Sequence, residues 1–181
     1  MFDVKSLISR ELDGDENLLW YGQPRQGLFL RGSDVFMIPF SLMWGGFAIF
    51  WEYSVLQGGA PGFFALWGIP FVAIGLYMIF GRFFFEAKQR KNTFYGVTDK
   101  RIIILSGIFS KHSKSLAVKL LSDISLKEKK NGIGSVILGQ ENPMAGFMAG
   151  SSWPGGKNPT PRLDNIPDSK KVYDIVRGLR E

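Results

Sequence analysis

Apolar residues fill the middle of the chain almost without interruption. Glu52 is the only charged residue within positions 35–81, and the run divides at a short polar and glycine-rich segment, 57–61 (QGGAP). The two halves, 35–56 and 62–81, each hold about 20 residues, and as helices each would reach roughly 30 Å, the thickness of the hydrocarbon core of a bilayer. The pattern therefore predicts a transmembrane hairpin of two helices.

After the hairpin the apolar pattern changes to that of short β-strands. β-branched and aromatic runs bounded by turn residues recur about every ten residues, which is typical of a small antiparallel structure. The predicted strands are 93–97, 101–106, 114–118, 124–128 and 135–138. Asn131-Gly132 separates the last two strands, and this dipeptide is a strong hairpin signal because both positions favour a positive φ.

Two segments complete the chain after these strands. Residues 139–165 are rich in Gly, Pro, Ser and Asn and predict a long loop insertion. Asp168 follows as an expected N-cap, and apolar residues then recur at helical spacing. They are Val172, Ile175, Val176 and Leu179. We therefore expect a C-terminal amphipathic helix that covers one end of the strands.

The residues before the hairpin predict a short helix and a strand. Apolar positions within 2–12 are spaced three or four apart, and 18–22 (LLWYG) has the composition of a strand. Two arrangements remain open for this leader. It lies flat on the bilayer surface, or its strand is added to the soluble domain.

Charge indicates how such a hairpin would be oriented. Residues 82–130 carry twelve Lys and Arg against four Asp and Glu, whereas the connector at 52–61 has no Lys or Arg. A basic block directly after a membrane helix is typical of the anionic cytoplasmic leaflet. The positive-inside rule then predicts a multi-pass protein of the inner (plasma) membrane with both termini in the cytoplasm. No groove-reading motif accompanies the basic block, so nucleic acid is not an expected partner.

Residues with catalytic or metal-binding chemistry are scarce. The chain has no cysteine, and His112 is its only histidine. No nucleophile motif and no phosphate-binding glycine loop is present. Asp13, Asp15 and Glu16 lack the spacing of a calcium loop, so we interpret them as a solvated turn. We expect no catalytic residue, no cofactor and no metal site.

Residues 92–107 (NTFYGVTDKRIIILSG) resemble the opening of bacterial pleckstrin-homology-like (PH-like) domains. In that family a Tyr-x-x-Thr-[Asp/Asn]-[Lys/Arg]-Arg core leads into an apolar strand and a glycine. Residues 16–24 (ENLLWYGQP) look like the family's leader, which precedes a two-helix hairpin, and the closing segment 166–173 is also similar. The resemblance implies a split β-barrel capped by a C-terminal helix and anchored at the inner membrane. It implies a binding platform for lipids, peptides or self-assembly and no particular activity.

The predicted fold is therefore an α+β membrane protein with three parts. A cytoplasmic leader with a short helix and strand occupies residues 1–33, and the transmembrane helical hairpin occupies 34–82. Residues 90–181 form a small antiparallel PH-like split β-barrel with a loop insertion at 139–165, capped by the C-terminal amphipathic helix.

Basic residues at two predicted turns are the candidate contacts for a head group or a partner. They are Lys100, Arg101, Lys127, Lys129 and Lys130. Each cation near an anionic membrane surface contributes about 1 kcal/mol of binding free energy. The alternative is that these residues keep strand edges soluble.

The sequence thus favours a non-enzymatic, inner-membrane-anchored PH-like binding module. It would recognise a protein partner or assemble with copies of itself at the cytoplasmic face of the bilayer. Two alternatives remain open, which are a module that senses anionic lipid and an accessory subunit of a membrane enzyme complex.

Overall fold

The computed structural model describes residues 4–28, 30, 34–59, 61–108, 110–140 and 160–180. The described residues fall into two compact units. One unit contains the leader up to residue 27 together with the chain after residue 86, and the other contains residues 28–86.

The first unit consists of two antiparallel sheets, a short helix α1 (Val4–Ser9) and a long helix α5 (Ser169–Arg180). The four-stranded sheet has the order β1-β2-β3-β4, formed by Leu18–Gly22, Phe94–Thr98, Arg101–Ser106 and His112–Ala117. The three-stranded sheet has the order β5-β6-β7, formed by Ile124–Glu128, Gly134–Leu138 and Arg162–Ile166. The described residues form no closed barrel.

One apolar core joins both sheets to α5. Its buried members alternate along β2 and β6 and recur at helical spacing on α5, so each of these elements contributes one apolar face. They include Val97, Ile102, Val136, Leu163, Ile166, Val172 and Val176. The predicted amphipathic helix is thereby confirmed, with Val172 and Val176 at the centre of its buried face.

The leader belongs to this unit through its strand. β1 pairs antiparallel with β2, with Tyr21 opposite Gly96, and Ile8 of α1 is fully buried. A Cβ on Gly96 would lie 2.6 Å from Cγ2 of Ile8, so only glycine lets α1 pack this closely on the strand. The Arg25 amide also donates a hydrogen bond to the Asn165 carbonyl of β7 (2.7 Å). Of the two arrangements open from the sequence, the added strand is the one observed.

Two local predictions need correction. The segment 139–165, predicted as a loop insertion, contains most of β7, and its residues 141–159 lie outside the described residues. The strand was missed because Asp164 and Asn165 interrupt its apolar pattern. The Asn131-Gly132 hairpin forms, but only Gly132 has a positive φ (+73°). The loop is longer than two residues, since the Lys129 amide donates to the Ile133 carbonyl (2.9 Å).

The second unit is a helical hairpin. Helix α2 (Asp34–Gln57) is followed by α3 (Gly62–Leu76), a π-helical turn (Tyr77–Gly81) and α4 (Arg82–Lys91), which together make a 30-residue helical stretch. α2 and this stretch are long and apolar enough to cross a membrane, by length and composition. The second helix was predicted to end at residue 81, where the apolar run ends. In the structure the helical conformation continues to Lys91.

Glycines let the two helices approach each other closely. A Cβ on Gly75 would lie 2.8 Å from Cα of Gly45, so neither position has room for a side chain. At the start of α2, Asp34 forms an ion pair with Arg82 (2.9 Å), and both side chains are almost fully buried. The pair fixes which ends of the helices lie side by side.

We expect Gly134→Ala to destabilise the packing of α5 on the second sheet. A Cβ there would lie 2.4 Å from the Lys127 carbonyl oxygen and 2.5 Å from Oγ of Ser169. Overpacking of this kind costs about 1–3 kcal/mol. Hydrogen exchange of the α5 amides in the full chain measures the effect.

Gly178→Ala is the matched control, because a Cβ at this position of α5 meets open space. It should leave exchange unchanged or slow it, since alanine favours a helix over glycine by about 1 kcal/mol. Equal acceleration of exchange in both variants would contradict the packing described here.

Candidate functional site

The turn between β2 and β3 carries two of the predicted contact residues, Lys100 and Arg101. Thr98 is fully buried and organises this turn through its hydroxyl. Its Oγ1 accepts hydrogen bonds from the amides of Lys100 (3.2 Å) and Arg101 (2.9 Å) and donates to the Arg101 carbonyl (2.9 Å). The Thr98 hydroxyl thus fixes the backbone of the turn without any contact from the two basic side chains.

Arg101 is held by the leader. Its Nε and Nη2 donate to the two carboxylate oxygens of Glu16 at 2.8 and 3.0 Å, which is the bidentate geometry that a guanidinium favours. Nη2 also lies 3.1 Å from Oδ2 of Asp13 and donates to the Glu11 carbonyl (2.9 Å). The hydrogen bond to Glu16 raises the pKa of Arg101 above its ordinary value.

Lys100 also contacts the leader, through an exposed ion pair with Asp15. The hydrogen bond between them lowers the pKa of Asp15 and raises that of Lys100. Beside this pair, the carboxylate of Asp99 accepts hydrogen bonds from the amide of Asn17 (3.2 Å) and from its side chain (3.1 Å). The turn predicted to meet a head group is therefore already bound to acidic and amide side chains of the same chain.

The prediction that the acidic cluster of the leader is a solvated turn holds for Asp13 and Asp15 but not for Glu16. The side chain of Glu16 is only 2% exposed, and that of Asp13 contacts Arg101 although it is largely exposed. The sequence did contain a signal for this pairing. The acidic cluster lies at the start of the segment that resembles the family's leader, and the basic pair lies in the family's core motif. The distance between them along the chain, about 85 residues, concealed the pairing.

The remaining candidates, Lys127, Lys129 and Lys130, lie on the β5–β6 hairpin and are exposed. They belong to the second sheet, whereas Lys100 and Arg101 belong to the first. The five predicted contact residues are therefore divided between two turns. We call the hairpin residues 127–130 the lysine turn.

A shallow groove of about 650 Å³ lies between the lysine turn and the first half of α5. Ser169 connects its two walls, since its Oγ donates to Glu128 Oε1 and to the Gly132 carbonyl, both at 3.3 Å. The charged lining residues are of both signs, namely Glu128, Asp168, Lys170, Lys171 and Asp174. This mixture suits a polar peptide better than a simple anion. No local sequence pattern indicates the groove, because its residues come from two distant segments.

The first unit combines two antiparallel sheets with one C-terminal helix, and it carries basic turns and a groove. Within the described ranges, no group of three His, Asp or Glu side chains is placed to hold a metal. The sequence matches the family model described as bacterial PH domain over residues 40–180. The chain belongs to the bacterial PH domain family. Searches of curated proteins and of solved structures gave no significant match. PH-like domains are typically non-catalytic modules that bind proteins or lipids.

We expect Glu16→Gln to loosen the leader. The substitution keeps the size of the side chain but removes the charge that Arg101 binds, and loss of a buried charge-assisted contact costs about 1–3 kcal/mol. Hydrogen exchange of the β1 amides in the full chain should accelerate accordingly.

Asp15→Asn is the control for this change, because the Asp15 side chain is 75% exposed and its pairing with Lys100 is screened by solvent. It should leave exchange of β1 almost unchanged. If both substitutions accelerated exchange equally, the buried pair would not be what holds the leader.

Proposed function

We propose that this protein is a non-enzymatic binding module anchored in the inner membrane by its helical hairpin, with the PH-like domain at the cytoplasmic face. The domain recognises an extended segment of a protein partner or of another copy. The length and composition of the two helices support the anchor, and the basic excess after the hairpin supports the orientation. Membership of the bacterial PH domain family supports a binding role.

The edge of β4 is the observation that carries the choice of a protein partner. β4 is the last strand of its sheet, and five of its six residues are exposed. An exposed edge strand offers main-chain donors and acceptors to a strand from another molecule. The mixed charge of the groove favours the same kind of partner.

The register of β4 shows which residues face outward. The Val118 amide donates to the Lys100 carbonyl (3.1 Å), and the antiparallel register continues without a shift to His112 opposite Ser106. Hydrogen-bonded pairs alternate along such a ladder. The main-chain groups of Ser113 and Ser115 therefore point away from β3 and are available to an added strand.

We expect Ser115→Pro to weaken docking at this edge. Proline removes the outward amide but no ladder hydrogen bond, so an edge strand tolerates it. In native membranes, the full chain with a photoreactive residue at position 114 should crosslink to its partner. Loss of one or two strand hydrogen bonds should reduce the product roughly tenfold.

Ser115→Ala is the matched control, since it removes the hydroxyl, which accepts a long hydrogen bond from Arg101 (3.4 Å), and keeps the amide. It should crosslink like the unchanged chain. Crosslinking that survives Ser115→Pro would show that the partner does not add to β4, and a product containing only this protein would identify self-assembly.

The alternative function is the sensing of anionic lipid by the lysine turn. Lys100 and Arg101 already bind leader carboxylates, so this function would depend on the exposed lysines of the second sheet. The leader contributes β1, so the alternative requires a test in the full chain rather than in residues 82–181. Accessory contact within a membrane enzyme complex remains a third use of the same edge.

For the lipid alternative, a dye on Asn131→Cys reports whether the turn touches the bilayer, because the chain has no other cysteine. Nanodiscs containing phosphatidylglycerol should shift its emission relative to phosphatidylcholine, and salt should reverse the shift. Lys129→Ala with Lys130→Ala should remove it, whereas Lys111→Ala with Lys119→Ala should not. Emission that is indifferent to lipid charge would exclude this alternative.

A further inference from the structure

A cleft of about 230 Å³ between α2 and α3 has an aromatic lining. Its lining residues are Trp44, Phe47, Ala48, Trp51, Trp67 and Phe71. The rings form a ladder across the two helices, with centroids 6.2 Å apart for Trp67 and Phe71 and 6.5 Å apart for Phe71 and Trp44. The faces of indole rings attract cations, and ring edges and faces also pack well against hydrocarbon.

A carboxylate, that of Glu52, packs beside Trp51, which is one of the residues that line this cleft. A Cβ on Gly68 would lie 1.6 Å from Oε2 of Glu52 and 2.7 Å from Cζ3 of Trp51, so the carboxylate and the indole pack side by side on the Gly68 backbone. Oε2 of Glu52 is buried and accepts no hydrogen bond from the described residues. A buried carboxylate oxygen without a donor is costly, and a cation or a strong donor at this position would offset the cost.

The depth of these groups fits a lipid. Glu52 lies 18 residues after Asp34 on α2, about 27 Å along the helix axis, which is close to the full thickness of a hydrocarbon core. Trp44 lies eight residues back from Glu52 toward the middle of the helix, about 12 Å deeper. The carboxylate is therefore at head-group level, and the aromatic cleft extends from it into the region of the acyl chains.

We propose that this cleft binds a bilayer lipid with an ammonium head group, of the phosphatidylethanolamine type. The ammonium pairs with Glu52 and lies against the Trp51 indole, and the upper part of an acyl chain lies along the aromatic ladder. A carboxylate beside indole faces complements this positive charge, whereas phosphatidylglycerol brings none. The inference rests on the proposed membrane insertion of the hairpin but not on the proposed partner.

The experiment has two arms so that the two proposals can fail separately. Extraction of native membranes with alkaline carbonate tests insertion of the hairpin, and release of the protein would overturn the anchor. Native mass spectrometry then tests the lipid site, with the full chain in mild detergent and equal amounts of phosphatidylethanolamine and phosphatidylglycerol. We expect the protein to retain phosphatidylethanolamine preferentially.

Substitutions in the cleft test whether the preference for phosphatidylethanolamine comes from this site. Glu52→Gln should reduce the ratio of retained phosphatidylethanolamine to phosphatidylglycerol roughly tenfold, because the ammonium loses its counter-charge. Gly68→Ala should have the same effect, since its Cβ occupies the position of the Glu52 carboxylate. Phe50→Leu is the control, because Phe50 lies on the same helix, is 67% exposed and does not line the cleft.

Equal retention of both lipids by an inserted protein would overturn the site, as would a preference that survives Glu52→Gln. Dodecyltrimethylammonium serves as a soluble probe of the same chemistry. If it bound in a Glu52-dependent manner while phosphatidylethanolamine did not, the occupant would be a free lipophilic cation, and the lipid proposal would be wrong.

Discussion

The ion pair between Arg101 and Glu16 is the contact on which the arrangement of the first unit depends. The planar guanidinium fixes the leader at one register, since two parallel hydrogen bonds reach a carboxylate that is almost fully buried. β1 can then pair with β2, and Ile8 covers the backbone at Gly96. The folded unit thus includes residues from both sides of the hairpin, although the family match begins only at residue 40.

The residues of the family's core motif have structural roles in this chain. Tyr95 connects the two sheets, because its hydroxyl accepts a hydrogen bond from the Asp164 amide (3.1 Å). Thr98 shapes the turn, and Asp99 and Arg101 hold the leader. The polar group of each of these residues is therefore used in a hydrogen bond that holds the unit together. Under the proposed function, a partner would therefore bind elsewhere, at the β4 edge or around the groove beside α5.

The sequence predicted elements well where the pattern is local. The hairpin, six of the seven strands and the closing helix follow from periodicity that a short window contains. The missing strand, β7, has polar residues at its centre and pairs with β6 across a long intervening segment. Its identity depends on a neighbour distant in sequence, and no local window carries that information.

The candidate site was harder to predict because charge alone does not say what a cation faces. Lys100 and Lys129 are both basic residues at predicted turns and both are exposed, yet the side chain of Lys100 forms an ion pair with Asp15 of the leader. The difference comes from the course of the leader. Glu52 interrupts the apolar run of the first helix, and only the packing of α2 against α3 brings its carboxylate against Gly68.

The position of β1 before the hairpin has a consequence for biosynthesis. About seventy residues separate β1 from β2 in the chain, and a ribosome adding 5–20 residues per second needs roughly 4–14 s to make them. During that interval the new β1 strand has no pairing edge within its own chain. If two neighbouring nascent chains exchanged leaders during this interval, each β1 would pair with the β2 of the other chain. Such an exchange would join two copies through the same contacts that form within one chain.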